Sequence, residues 1–556
     1  MVPSRAVHGP AAGAGKRWWM QLSSRRLRAA LLAAASLTLV AAVLPPPKAL
    51  GIGDRLFPDL GNPGYDVLSY DLSFTYKDNK SPLDAVTVID ARATAPLERV
   101  NLDFTHGKVA SAEVNGEPAR FESVGEDLVL TPRRAVADGG PLRITVRHTS
   151  DPRGRGDGGW VPTEDGLAMA NQADAAHRVF PCNDHPADKA LFTFRISAPA
   201  GLTAVANGYQ VAPALRIGPS TTWTYRTRHP MATELAQVSV GRSAVVHGTG
   251  PHGLPLRDVV PAADRQRLDP WLKKTAGHIE WMEERVGRYP FENYGVLIAR
   301  ATTGFELETQ TLSLFESSLF SGDGYPEWYV ESVMVHELAH QWFGDSVTPR
   351  TWSDLWLNEG HATWYEALYA DGLGKYSLER RMREAYQRSD QWRAAGGPPA
   401  APKAAAPGEK IGLFRPVVYD GAALILYALR QEIGAPAFDR IERRWVAQYR
   451  DGIAGTADFV RLASQEAGRD LGAFLEPWLY GTKTPPMPGH PEWSTPAPAG
   501  KSAVKAAGKS AGKAAPGKAA PGKAAPGKAA PGKAAPGKAA PGRAAAGKAL
   551  PGGKRV

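Results

Sequence analysis

A single cysteine, Cys182, stands in 556 residues. That excludes an internal disulfide framework and any metal site built from several thiolates. Alone, it reads as a small buried hydrophobe. Acidic residues are absent from both ends: residues 1–48 hold seven Lys/Arg, residues 501–556 hold thirteen, and neither segment has an acid. With those ends set aside, the overall net charge of +10 becomes −10 for the chain between them. The basic balance belongs to the ends, so the body is not read as a specific nucleic-acid binder. Long apolar runs are scarce too. Ala29–Leu44 is a run of sixteen residues, preceded by Arg25-Arg26-Leu27-Arg28 and followed by Pro45-Pro46-Pro47. A basic segment, a short apolar run and a breaker form the pattern of a secretory signal peptide. The run is short against the ~20 residues of a membrane span, and an uncleaved anchor is the alternative. A start at Met20 rather than Met1 would give a signal of ordinary length. Either way the body is expected to be exported, secreted or associated with the cell envelope.

What is present divides into three parts. Residues 62–247 show alternating apolar and polar stretches, such as Tyr70–Tyr76 and Arg99–Phe104, with Asn115-Gly116 and Asn207-Gly208 as hairpin signals. This part is expected to be all β. Residues 250–485 change to helical periodicity. Helices are expected over Trp271–Arg285, Glu331–Phe343, Ser353–Tyr369, Val417–Ile433 and Phe438–Tyr449. Short strands are expected at Tyr294–Ile298 and Leu312–Phe315, a loop over Ala394–Glu409, and an end to the folded part near Tyr480. From Gly500 the unit Ala-Ala-Pro-Gly-Lys repeats. Proline and glycine in every unit oppose helix and sheet, so residues 496–556 are expected to be a disordered tail.

The chemistry concentrates in His336-Glu337-Leu338-Ala339-His340 and in Glu359. Residues four apart share a helix face, so both imidazoles can reach one metal ion, and Glu337 can reach a water beside it. Glu359 is separated from His340 by eighteen residues and stands inside Trp356-Leu357-Asn358-Glu359-Gly360. From there it can supply a third, anionic ligand. Two His, one Glu and an open fourth position make a catalytic zinc site rather than a closed structural one. A bare His-Glu-x-x-His arises by chance in about one chain in twenty of this length, and the added Asn-Glu-Gly removes that explanation. A metzincin is excluded, because Phe343 and Ser346 stand where its glycine and third histidine belong.

The run from His336 to Asp345 and the run from Trp352 to Gly360 together resemble the gluzincin aminopeptidases of the aminopeptidase N (membrane alanyl aminopeptidase) family. Phe180-Pro181-Cys182-Asn183-Asp184-His185-Pro186 and Val418-Tyr419-Asp420 are similar to two further motifs of that family. The resemblance covers about residues 62–485. It implies an N-terminal all-β saddle domain packed on a thermolysin-like α/β zinc peptidase domain, with one Zn2+ per chain. It implies removal of the N-terminal residue from peptides with a free N-terminus. The short helical stretch before the tail matches the compact secreted members.

The resemblance also carries roles onto residues. Glu337 is the general base and Tyr419 the oxyanion donor. Gly421 departs from the family, which usually has Lys or Arg there. Glu308, in Gly304-Phe305-Glu306-Leu307-Glu308-Thr309-Gln310, matches the carboxylate that pairs with the substrate's α-ammonium, with Glu306 as competitor. Gln172 corresponds to a glutamine lining the first substrate pocket. Glu366, seven residues after Glu359, is placed to orient a metal-bound histidine. His361 reads as a partly buried polar residue. Two alternatives stay open: an endopeptidase on the same scaffold, and a catalytically idle envelope-binding protein. The basic tail suggests contact with an anionic cell-envelope polymer.

Overall fold

The computed structural model describes residues 45–153, 158–322, 324–405 and 412–495. The apolar run at 29–44 and the repeat at 496–556 lie outside the described residues.

The N-terminal part is built on a nine-stranded sheet whose centre is formed by Leu191–Pro199, Tyr65–Thr75, Leu83–Ala93 and Pro141–Ser150. Tyr65–Thr75 runs parallel to Leu191–Pro199 and antiparallel to Leu83–Ala93. Strict alternation buries every second side chain, so Leu72, Ile89, Ile144 and Phe194 are fully enclosed while their neighbours face outward. Asn115-Gly116 closes a two-residue hairpin with both φ angles positive, at 51° and 79°, the geometry that selects this pair. Asn207-Gly208 does not close a hairpin. It carries the chain from Thr203–Ala206, in a separate four-stranded sheet, to Tyr209–Gln210 in the large one. The reason is tertiary: the buried Asn207 side chain bonds the carbonyls of Leu235 and Gln310.

A second four-stranded sheet, in the order Ser243–Thr249, Pro255–Pro261, Val296–Ala299, Ser313–Glu316, forms the seam between the two halves. Val259, Leu297, Ala299 and Leu314 point into the β-rich core. Val260, Val296, Ile298 and Phe315 point into the helical core. Period two thus divides each strand between two cores.

The helical core is made by α1 (Arg265–Leu272), α2 (Thr275–Val286), α3 (Glu327–Ala339), α4 (Trp356–Gly372), α5 (Leu378–Gly396), α6 (Asp420–Ile433), α7 (Ala435–Gln448), α8 (Thr456–Ala467) and α9 (Gly472–Tyr480). Several expected boundaries move. The helix expected over Trp271–Arg285 is two helices, with a turn at Lys273-Lys274. The metal helix begins and ends one turn earlier than expected, leaving His340 as its C-cap. Helix α5 runs to Gly396, into the segment expected to be a loop. The described chain continues past Tyr480, and Met487 and Trp493 are buried in the helical core, Trp493 stacked on Tyr427 at 5.8 Å. A tryptophan offers more burial than the Pro-rich surroundings suggest.

A third, smaller cluster joins the N-terminal segment to the catalytic half. Leu56, Phe57 and Leu60 pack with Trp352, Leu355, Val417 and Val418, and Tyr419 lies against this cluster.

Candidate active site

Helix α3 is apolar nearly all round and buried, as a central core helix should be. Its last turn carries His336 and Glu337, and His340 caps it. Helix α4 packs on it and brings Glu359 and Glu366, one and three turns from its start. His336 Nε2 lies 3.4 Å and His340 Nε2 3.5 Å from the same Glu359 Oε2.

The far nitrogens of both rings are engaged. His336 Nδ1 lies 2.9 Å from Glu366 Oε2, and His340 Nδ1 contacts Asn358 Oδ1. A carboxylate and an amide oxygen can only accept, so each Nδ1 donates and each Nε2 turns a lone pair toward the shared point. Glu359 Oε2 is buried there without a hydrogen-bond partner. Two imidazole lone pairs and a carboxylate oxygen converging in a dry interior repel one another unless a cation sits among them. The donor set, two nitrogens and one oxygen with each histidine braced from behind, fits zinc.

Glu337 is 1% exposed. Its carboxylate, that of Glu308 and the His340 ring lie within 4.8 Å of one another. Tyr419 stands across from the His336 ring at 6.1 Å, with its hydroxyl in contact with Glu359. Burial, then the carboxylates of Glu359, Glu308 and Glu337, push the Tyr419 hydroxyl well above its usual range. It therefore remains an O–H donor.

Glu308 lies in an extended segment beside the sheet's edge strand, joined through the Leu307–Leu314 bridge. Its Oε1 accepts from Gln172 Nε2 at 2.7 Å and from Asn358 Nδ2 at 3.1 Å. Of the two competing glutamates, Glu308 is the one that enters the site; Glu306 is half-buried and outside the cluster. Gln172 arrives from the β-rich half, 136 residues away in sequence. His361 lies away from the ligands, stacked on Phe343 at 4.4 Å and 3.3 Å from Glu442.

Four further residues were not singled out from sequence. Asn358 holds both His340 and Glu308; its signal was its place beside Glu359 in the quoted motif. Gln341 follows His340, accepts from Tyr289 and the Thr311 N–H, and donates to the Glu308 carbonyl at 3.1 Å. Arg381 donates to Glu366 at 3.0 Å and to Asp420 at 2.8 Å, tying the brace of His336 to the residue after Tyr419. Neither Arg381 nor Glu234, a buried acid close to Gln172, has any local sequence signal.

Comparison with known proteins bears on this geometry. The Peptidase family M1 domain matches residues 271–478, and the Peptidase M1 N-terminal domain matches residues 166–235. The chain belongs to the peptidase M1 family. An M1 zinc metallopeptidase from Deinococcus radiodurans superposes with a TM-score of 0.68 at 27% identity, covering 79% of this chain and 98% of that one. Aminopeptidase N of Streptomyces lividans is 24% identical over 68% of this chain and 46% of its own length. Aminopeptidase M1-C of Oryza sativa subsp. japonica is 26% identical over 55% of this chain and 36% of its own length. The chain thus spans between a third and a half of the curated M1 relatives it matches. The family's architecture, an M1 N-terminal domain joined to a peptidase domain, is the one seen here, and its cofactor is zinc.

Proposed function

We propose that this M1 protein is a zinc-dependent aminopeptidase that removes N-terminal residues from peptides. The observation that carries the reading is Glu308, a buried carboxylate fixed by Gln172 and Asn358 beside the ligand cluster. It supplies a fixed negative charge where the free end of a peptide would have to sit for its first bond to reach the metal.

His336, His340 and Glu359 would hold the zinc. When bound, zinc supplies a Lewis acid that eases deprotonation of water and polarises a carbonyl. Glu337 takes the proton of the attacking water on its carboxylate and later delivers it to the departing amine. Tyr419 donates its O–H to the oxygen that gains charge as the carbonyl carbon becomes tetrahedral. Glu308 pairs with the α-ammonium and sets the register of the chain. The extended backbone around Leu307, paired with Leu314 at the margin of the sheet, offers a strand beside which peptide backbone can align.

The test compares free and N-acetylated peptides of the same sequence, with and without chelator. Cleavage of the first bond of free peptides alone, abolished by chelator and restored by zinc, is the expected result. Internal cleavage of acetylated peptides at similar rates would instead establish an endopeptidase.

The body is further proposed to act outside the cytoplasm, as a secreted or envelope-associated enzyme. The basic, apolar and Pro-rich run before Leu50 supports this reading. The acid-free tail supports attachment to an anionic envelope polymer.

A further inference from the structure

Beside Gln172 stands a carboxylate that the mechanism above leaves without a role. Glu234 lies in a short 3-10 turn, Thr233–Leu235, and is 2% exposed. Its Oε2 has no hydrogen-bond partner. The Gln172 amide, which donates to Glu308 Oε1 at 2.7 Å, also lies close to the Glu234 carboxyl, so one amide stands between two buried acids.

The turn is held firmly. Thr233 Oγ1 donates to Asp184 Oδ1 at 2.8 Å. Asn207 Nδ2 bonds the Leu235 carbonyl at 3.0 Å and the Gln310 carbonyl at 2.6 Å. Asn207 therefore ties the Glu234 turn to the Glu308 segment. The charges acting on Glu234 are those of Glu308, Asp184 and His340, with Lys189 nearby. Lys189 makes no hydrogen bond to either acid: its ammonium donates to the carbonyls of Asp345 and Ser346 at 2.8 and 2.9 Å.

Two carboxylates buried around one amide repel each other, and burial together with Glu308 pushes the Glu234 carboxyl well above its usual range. Such an arrangement costs stability unless a cation is received there. An ammonium group brings three donors. Glu308 Oε1 is already occupied by Gln172 and Asn358, so a second acceptor is chemically useful. We propose that Glu234 is a second carboxylate for the substrate's α-ammonium, sharing it with Glu308 across Gln172. This rests on the aminopeptidase reading.

The test uses the zinc-loaded full chain, wild type and E234Q. Calorimetry measures binding of L-leucinol and of 4-methylpentan-1-ol, which has the same shape without the amine. In E234Q leucinol should bind about tenfold more weakly, the size expected for one charge-assisted hydrogen bond, with the desamino alcohol unchanged. KM for L-leucine p-nitroanilide should rise by a similar factor while kcat changes little. The melting temperature should change little, because burial and Glu308 already disfavour the charged form of Glu234 and glutamine keeps a neutral polar group in its place. E234D, which keeps the charge, should recover part of the leucinol affinity. Unchanged leucinol affinity in E234Q overturns the proposal. So does equal weakening of both alcohols, which would show only a distorted pocket. If wild type itself fails to distinguish the two alcohols, amine recognition is absent and the aminopeptidase reading falls with it. If wild type and E234Q distinguish them equally, only the role of Glu234 falls.

Discussion

Glu337 and Glu308 carry the same charge and lie in the same cluster, yet neutralising them should fail differently. Glu337→Gln keeps both histidines and Glu359, so metal analysis should still find one zinc per chain. Turnover should drop by about 10²- to 10⁴-fold, since a general acid–base group contributes on that order. Loss of zinc in this variant would mean that Glu337 is a ligand rather than the base. Glu308→Gln should raise KM for free-amine substrates far more than it lowers thermal stability; equal use of free and acetylated peptides by wild type would remove its role. Arg381→Met tests the bracing of His336. It leaves the buried Glu366 carboxylate, 3.0 Å from the arginine, without its cation, and breaking such a pair costs about 3 kcal/mol. Zinc affinity should fall with stability, read by chelator competition; a destabilised variant with undiminished zinc affinity would place Arg381 outside the metal's support. The ligands and base were legible in sequence because they sit a few residues apart on one helix, where spacing alone sets direction. Gln172, Arg381 and Glu234 reach the cluster only through tertiary folding, which no local spacing encodes.

Elements carry the site as rigid units, and their joints decide how it responds to acid. Asp54 is one joint. Its carboxylate accepts from the N–H groups of Leu56 at 2.7 Å, Phe57 at 3.2 Å and Trp352 at 2.9 Å, with the His185 ring at 3.2 Å. Burial raises this carboxyl, but the His185 ring and the three N–H groups more than offset that and hold it at about 2. A carboxyl lowered on folding stabilises the native state above its unfolded value near 3.8, and that contribution disappears as pH falls toward 2. The stability difference between wild type and Asp54→Asn should therefore shrink by about 2 kcal/mol between pH 5 and pH 2. Denaturant melts at a series of pH values measure it, and a pH-independent difference would show that Asp54 matters only as a hydrogen-bonding shape. Elements were legible where periodicity was long, as in the strand Tyr65–Thr75. They were misplaced where a local signal met a tertiary demand. Asn207-Gly208 has hairpin chemistry but spans two sheets because its side chain is needed elsewhere. The helix read over Trp271–Arg285 is divided at Lys273-Lys274, which its apolar period does not reveal.

At the scale of the whole molecule, one four-stranded sheet serves two cores, and this explains how a residue of the β-rich half reaches the zinc cluster. Val259, Leu297 and Leu314 lock that half to the sheet whose edge presents Glu308, so Gln172 meets Glu308 at 2.7 Å without a bridging loop. The two-part architecture was legible from the change of period near residue 250, and so were the short strands at Val296–Ala299 and Ser313–Glu316; their pairing with Pro255–Pro261 into one sheet shared by two cores was not, since period does not say which strands are neighbours. The segments outside the described residues pose a different question. Residues 501–556 carry thirteen Lys/Arg and no acid, while none of the site residues lies beyond Tyr419. Attraction of such a polycation to an anionic surface is driven by counterion release and is screened by salt. Deleting residues 500–556 should therefore leave kcat and KM unchanged, and lower retention on isolated cell-envelope material at low salt but not at high salt. Sedimentation of full-length and truncated protein with such material, across a salt series, reads both effects. Identical partitioning at low salt would rule out the tether, and a changed kcat would mean that the tail reaches the site.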